Sequence, residues 1–252
     1  IIGGGALGAF IVSNTPSILK ATGKALGGAF KPSAITKAFY MSLMALMYEI
    51  LTKVRKEGLM SIEGDVEEPD QSPLFQKYPE VLADHHVVEF MTDYLRLMVS
   101  GNLNPMEIEN LMDGELETHH QEAHTPQSAV QQMADGLPAF GIVAAVMGVV
   151  HVMGSVGQVS NAELGVMIAA ALVGTFLGIL LAYGFVGPLA SIINHKIAES
   201  SKPFECVKTT LLASLNGYSP ALAVEFGRKV LYSTERPTFI ELEEHVKSTK
   251  GK

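Results

Sequence analysis

Apolar and polar residues are distributed unevenly along this chain, and the unevenness predicts its elements. Residues 136–157 (GLPAFGIVAAVMGVVHVMGSVG) and 164–194 (LGVMIAAALVGTFLGILLAYGFVGPLASIIN) are apolar runs, each long enough for the roughly 20 residues that cross a bilayer. Hydrocarbon offers the backbone no hydrogen-bond partner, so both are expected to be helices. The connector 158–163 makes them an antiparallel hairpin. It carries no Lys or Arg, whereas Lys196, Lys202 and Lys208 follow the second run. The positive-inside bias therefore puts 158–163 outside and both long flanks in the cytoplasm.

At the start, IIGGGALGAFIV is apolar but too short to span. Residues 1–17 are expected to be the end of a truncated membrane helix, with Lys20, Lys24, Lys31 and Lys37 marking its cytoplasmic side. Residues 18–135 form a cytoplasmic helical domain. In it Leu43, Leu46, Met47, Ile50 and Val54 share one helix face ahead of Gly58. A second helix spans 87–100 before Gly101. A third opens with Asn104 as N-cap, Pro105 in the first turn and Glu107 completing a capping box. Residues 64–79, acidic and interrupted by proline, are expected to be a linker. The region 195–252 is cytoplasmic, with helices at 204–215 and 220–232 divided by Asn216-Gly217, and a last one beginning at Thr238 with Glu241 as capping partner. No strand pattern occurs. The expected fold is all-α, polytopic membrane helices with a helical cytoplasmic domain.

Composition narrows the function. A net charge of −8 lacks the basic face that nucleic acid requires. The single cysteine, Cys206, excludes an internal disulfide. No phosphate loop, nucleophile elbow or zincin spacing is present, so an enzyme is the weakest reading. His119, His120 and His124 lie among Glu115, Glu117 and Glu122, but they make no complete ligand set; a polar helix end is preferred and no metal is expected.

The spans carry their own chemistry. Ala170, Gly174, Gly178 and Ala182 recur every four residues, a small-residue stripe for close helix packing, and Gly141, Ala145 and Gly148 form a second such face. Packing within one hairpin explains both stripes; a ring of copies around a central helix also fits them. Pro138, at the start of its span, suits a first helical turn. Pro188 lies inside an apolar run, where it should kink the helix or free a carbonyl. From 136 to 194 the only Asp, Glu, Lys or Arg is Glu163, at the outer edge. A proton path usually needs an ionisable group within the membrane, so a partner or a preceding segment must supply it.

The segments YLRLMVSGNLNPMEIENLMDGELETH (94–119), LPAFGIVAAVMGVVHVMGS (137–155), AELGVMIAAALVGTFLGILLAYGFVGPLA (162–190), NGYSPALAVEFGRK (216–229) and ERPTFIELEEHV (235–246) together resemble the MotA/TolQ/ExbB proton channel family, on its flagellar stator side. The resemblance implies four membrane helices in the bacterial inner membrane, the first of them absent here. It implies a pentameric ring of copies around a MotB-like partner, which supplies a membrane aspartate, and a cytoplasmic domain that pushes on the rotor protein FliG. It assigns rotor contact to Arg55 and Glu63, conformational coupling to Pro138 and Pro188, and channel lining to Thr175. Sodium-driven relatives place a threonine where this chain has Ala145, whose methyl offers sodium no oxygen; the ion is therefore expected to be H+, with no cofactor. The alternatives are a sodium-driven stator, a TolQ/ExbB-type energiser of envelope transport, and a passive membrane scaffold. Each assigned residue also has a plain structural use. Arg55 would favour a helix C-terminus, Glu63 sits in a solvated acidic stretch, and Thr175 could bond a preceding carbonyl.

Overall fold

The computed structural model describes residues 1–101 and 104–249, all helix and connecting turns. Asn102 and Leu103, within the 94–119 segment, and the last three residues of the 195–252 region lie outside the described residues. The chain divides into two compact units, residues 1–32 with 120–197 and residues 33–119 with 198–252.

In chain order, α1 (Ile2–Ser13) is followed by α2 (Pro16–Ala29), started by Pro16 in its first turn and by Thr15, whose hydroxyl accepts from the Ile18 N–H. Helix α3 (Lys37–Glu57) ends at Gly58, whose φ of 88° suits glycine, and a 3₁₀ turn (Leu59–Ile62) leads into α4 (Glu63–Glu67). Then come α5 (Pro73–Gln76), α6 (Pro79–Leu82) and α7 (His85–Ser100), closed by Gly101 in the left-handed region. Helix α8 runs from Pro105 to Gly154 without interruption. Helix α9 (Asn161–Leu181) passes through a π turn (Ala182–Val186) into α10 (Gly187–Leu215), and α11 (Pro220–Lys229) and α12 (Phe239–Thr249) complete the chain.

The expected capping boxes form. Asn104 and Glu107 exchange bonds of 3.0 and 2.9 Å, and Thr238 and Glu241 exchange bonds of 2.6 and 3.3 Å. The expected linker 64–79 instead contains helical turns with Val66, Phe75 and Tyr78 buried. Each turn is too short to show a 3.6-residue period; α5 is set locally by Ser72, which accepts from the Leu74 and Phe75 N–H groups ahead of Pro73, and α6 opens with Pro79 in its first turn.

In the second unit, Leu43, Met47 and Ile50 of α3 pack with Met91 and Leu95 of α7, Val207 and Leu211 of α10, and Val224 of α11 in one core. A Cβ at Gly227 would lie 2.9 Å from the Cys206 carbonyl oxygen, so α11 can cross α10 closely only without one. Burial pushes the Cys206 thiol up to about 12, which leaves it an inert packing group.

Lys37 Nζ donates to Glu241 Oε1 at 2.7 Å, pinning the start of α12 to α3. That bond, with those from Thr238, lowers the Glu241 carboxyl from 4.5 to about 2. A carboxyl depressed on folding contributes stability above its unfolded value and loses it as pH falls through the folded one. Pepsin cleavage within 239–249 is therefore expected to rise as pH drops from 4.5 to 2. In Glu241→Gln it should be high already at pH 4.5; equal cleavage of the two proteins at that pH would show that the pair does not hold α12.

Candidate functional site

The hairpin of α8 and α9 is the candidate site. At its turn Ser160 caps α9: its hydroxyl accepts from the Glu163 N–H at 3.3 Å, and the Glu163 carboxylate accepts from the Ser160 N–H at 2.9 Å. The pattern Ser160-x-x-Glu163 is a capping box, a signal present in the sequence in addition to those named above. It accounts for Glu163, the one Asp, Glu, Lys or Arg between residues 136 and 194, as a helix-start device. Small residues then bring the helices together. A Cβ at Gly141 would meet the Gly174 carbonyl oxygen at 2.9 Å and the Gly178 Cα at 3.1 Å; one at Gly148 would meet the Ala171 Cβ at 2.6 Å. A Cβ at Gly178 would stand 2.8 Å from the Leu137 carbonyl oxygen.

The seam differs from the four-residue stripe in one member. Gly174, Gly178 and Ala182 lie on the packed side of α9, but Ala170 is exposed and Ala171 takes its place. A four-residue step overshoots a 3.6-residue turn, so a stripe drawn every four residues drifts around the helix. The contact follows 171, 174, 178 and 182 instead. Ala182, with Leu137, also meets Ile2 and Ala6 of α1.

Ala145 is buried in this seam, its backbone nitrogen 3.1 Å from a Cβ placed on Gly174. Thr175, next along α9, is half-buried. Threonine hydroxyls in this chain commonly bond the carbonyl four residues back, as Thr22 does to Ile18 at 2.8 Å and Thr210 to Cys206 at 2.8 Å. Thr175 makes no such bond among the described residues, which leaves a hydroxyl within an apolar span open to an outside partner.

Both prolines fall within helices. Pro138 lies in the middle of α8, with Pro126 a few turns before it, rather than in a first turn as its place at the start of the apolar run had indicated. The helix begins 33 residues earlier, because Asn104 supplies the cap, and it continues through Pro126, which gives up one hydrogen bond of the ladder without ending the helix. Pro188 follows the π turn, in which the Gly187 N–H bonds the Ala182 carbonyl, five residues back. Proline supplies no N–H to the carbonyl four residues before it, and the π turn is where the helix absorbs that lost bond.

In the second unit Arg55 occupies the last turn of α3 and Glu63 the first turn of α4. Some charges around them are paired, Lys53 with Asp65 at 2.7 Å and Arg96 with Glu67 at 3.2 Å, while Lys56 and Glu57 beside Arg55 are exposed without an ion pair among the described residues. Arg55 and Glu63 are both exposed and make no ion pair among the described residues. Glu63 borders a groove with Met60, Arg96 and Val99. His119 stacks on Phe204 with centroids 4.8 Å apart, and the His120 and His124 rings lie 4.2 Å apart.

The apolar surface of the hairpin faces outwards. Only 22% and 11% of the most apolar windows of its two long helices are buried, with Val146, Val150, Leu172, Phe176 and Tyr183 standing exposed. A soluble protein would bury such helices, so this surface is suited to lipid or to other membrane helices.

Residues 83–206 match the MotA/TolQ/ExbB proton channel family and residues 1–58 match the motility protein A N-terminal family. Motility protein A of Salmonella typhimurium is 55% identical over all of this chain and 85% of its own length; that of Escherichia coli is 56% identical over the same shares. The chain belongs to the MotA/TolQ/ExbB proton channel family. Within it, this is a MotA-type stator subunit of the flagellar motor, located in the membrane and not an enzyme. The fold agrees: the flagellar MotAB stator complex from Bacillus subtilis superposes with a TM-score of 0.70 at 23% identity, over 96% of this chain and 85% of that one. The MotA identity also favours the motor over the envelope-energiser and scaffold alternatives.

Proposed function

We propose that this MotA-type chain lines a proton path together with a MotB-like partner, in a pentameric ring around that partner's membrane helices, and turns proton flow into torque on FliG. The observation that carries the reading is chemical. Between 136 and 194 the only charged residue is Glu163, and it is committed to capping α9. A proton needs an ionisable relay within the membrane, so the carboxylate comes from a partner helix that packs beside Thr175, at the edge of the seam in which Ala145 is buried. The free Thr175 hydroxyl supports this placement, as does the Ala145 methyl the choice of proton over sodium. One charge moving through about 100 mV releases about 2.3 kcal/mol, several times thermal energy.

In this reading the membrane is crossed more than once, the 158–163 turn is periplasmic, and the unit that holds Arg55 and Glu63 is cytoplasmic. Protonation of the partner's carboxylate changes its packing on the hairpin. Pro138 and Pro188 carry that change along α8 and α10, and Arg55 and Glu63 meet opposite charges on the rotor.

The deciding experiment is the ion dependence of rotation in cells carrying the complete stator. Rotation should ignore sodium at fixed proton-motive force and stop when the proton gradient is collapsed with sodium present. Rotation that tracked sodium would retain the motor and overturn the argument from Ala145. The rotor contact has its own test. Arg55→Glu with Glu63→Arg should cut torque at least about tenfold, because like charges then face each other across the rotor contact, with no change in melting temperature. Unchanged torque would remove both residues from the rotor interface.

A further inference from the structure

We propose that the outward face of α2 and the turn after it form a binding surface for anionic phospholipid headgroups of the inner leaflet. Helix α2 is two-faced. Ala25, Leu26 and Ala29 pack on Val130, Ala190 and Ile193 of the same unit, and Thr22 turns its hydroxyl back to the Ile18 carbonyl. Lys20 and Lys24, one turn apart, stand on the opposite side, and Lys31 follows just past the helix end. All three are exposed and pair with no acid among the described residues.

Three features favour lipid as the occupant. The chain has a net charge of −8, yet no Asp or Glu precedes Glu49, so the positive face is local and undiluted. Phe30, 74% exposed, adds an aromatic group beside Lys31 that inserts among acyl chains while the lysines reach to phosphate. The packing partners Ala190 and Ile193 directly follow Pro188, at the end of the span assigned to the cytoplasmic boundary, so α2 lies at headgroup depth. The corresponding unit of a second copy is a poor occupant by charge. The unit containing α2 has only Glu122, Asp135 and Glu163 as acids; Asp135 is bonded by Gln131 and Glu163 is in its capping box.

The proposal rests on the cytoplasmic placement of this end, and its test separates the two. The complete stator complex is placed in nanodiscs of phosphatidylcholine with phosphatidylglycerol, and the lipid that stays with it is counted by native mass spectrometry. Wild type should select phosphatidylglycerol, with the preference falling roughly fivefold for each lysine removed and vanishing in Lys20→Gln/Lys24→Gln/Lys31→Gln. Arginine at the same three positions should keep it. No preference in wild type, or an unchanged one in the glutamine variant, overturns the proposal. So does a photo-crosslinker at position 20 that captures a neighbouring subunit rather than lipid. Labelling of Lys24→Cys in intact cells by an impermeant maleimide would instead overturn the topology, and the inner-leaflet proposal with it.

Discussion

Gly178→Val is expected to abolish motility and to leave little assembled stator. Even the first carbon of a side chain there would sit 2.8 Å from the Leu137 carbonyl oxygen and 2.9 Å from the Gly141 Cα. Both are backbone atoms, so no rotamer change relieves the clash. The helices must separate, and the facing pairs, Gly141 with Gly174 and Gly148 with Ala171, lose contact with them. Overpacking in a formed core costs about 1–3 kcal/mol; against rigid backbone, and propagated along a seam, the upper end applies. In contrast, a Cβ on Gly8 of α1 meets nothing within 4 Å, and Gly8→Ala should gain up to about 1 kcal/mol of helix propensity. Thermal melts of the purified complex, read beside swarming, check both. A Gly178→Val protein that melted like wild type would show that α8 and α9 do not meet here.

Pro188→Ala is expected to raise stability while lowering torque at least tenfold. A proline inside a helix costs about 3 kcal/mol through its missing N–H and its clash with the preceding turn. Alanine restores the donor, so the π turn at Ala182–Val186 can revert to regular α-helix and the melting temperature should rise. If the irregular turn is the place where the hinge yields, a stiffer helix no longer transmits the partner's movement, and rotation falls although the complex is intact. Stability and activity moving in opposite directions is the signature of strain kept for function. A variant both more stable and fully motile would reduce the π turn to a tolerated defect.

Much of the architecture was legible along the chain because membrane helices announce themselves locally. An unbroken apolar run must be helical in hydrocarbon whatever it packs against. Caps such as Asn104 with Glu107, and stops such as Gly58 and Gly101, act within one turn of themselves. Local patterning was less informative where an element is only a turn long, as between Glu63 and Leu82, or where two helices fuse. Nothing in 117–135 signals that α8 continues through it, since polar residues are compatible with helix and with loop alike. The Ser160–Glu163 box is legible in the sequence too, but a glutamate at the edge of a span has two uses, a membrane charge or a cap, and the two hydrogen bonds in the structure assign it to the cap.

What the amino-acid order determined by itself is the all-helical class, the apolar hairpin, the lack of a deep charge within it, and the family pattern. These depend on composition and on neighbours a few residues apart. Only the tertiary structure decided that Ala171 rather than Ala170 enters the seam, that Thr175 keeps its hydroxyl unspent, that Arg55 and Glu63 stand exposed while Lys53, Asp65, Arg96 and Glu67 pair, and that α2 turns its lysines away from its packed face. Each of those depends on which helix arrives opposite, and at what height, and that is set by contacts between residues far apart in the chain.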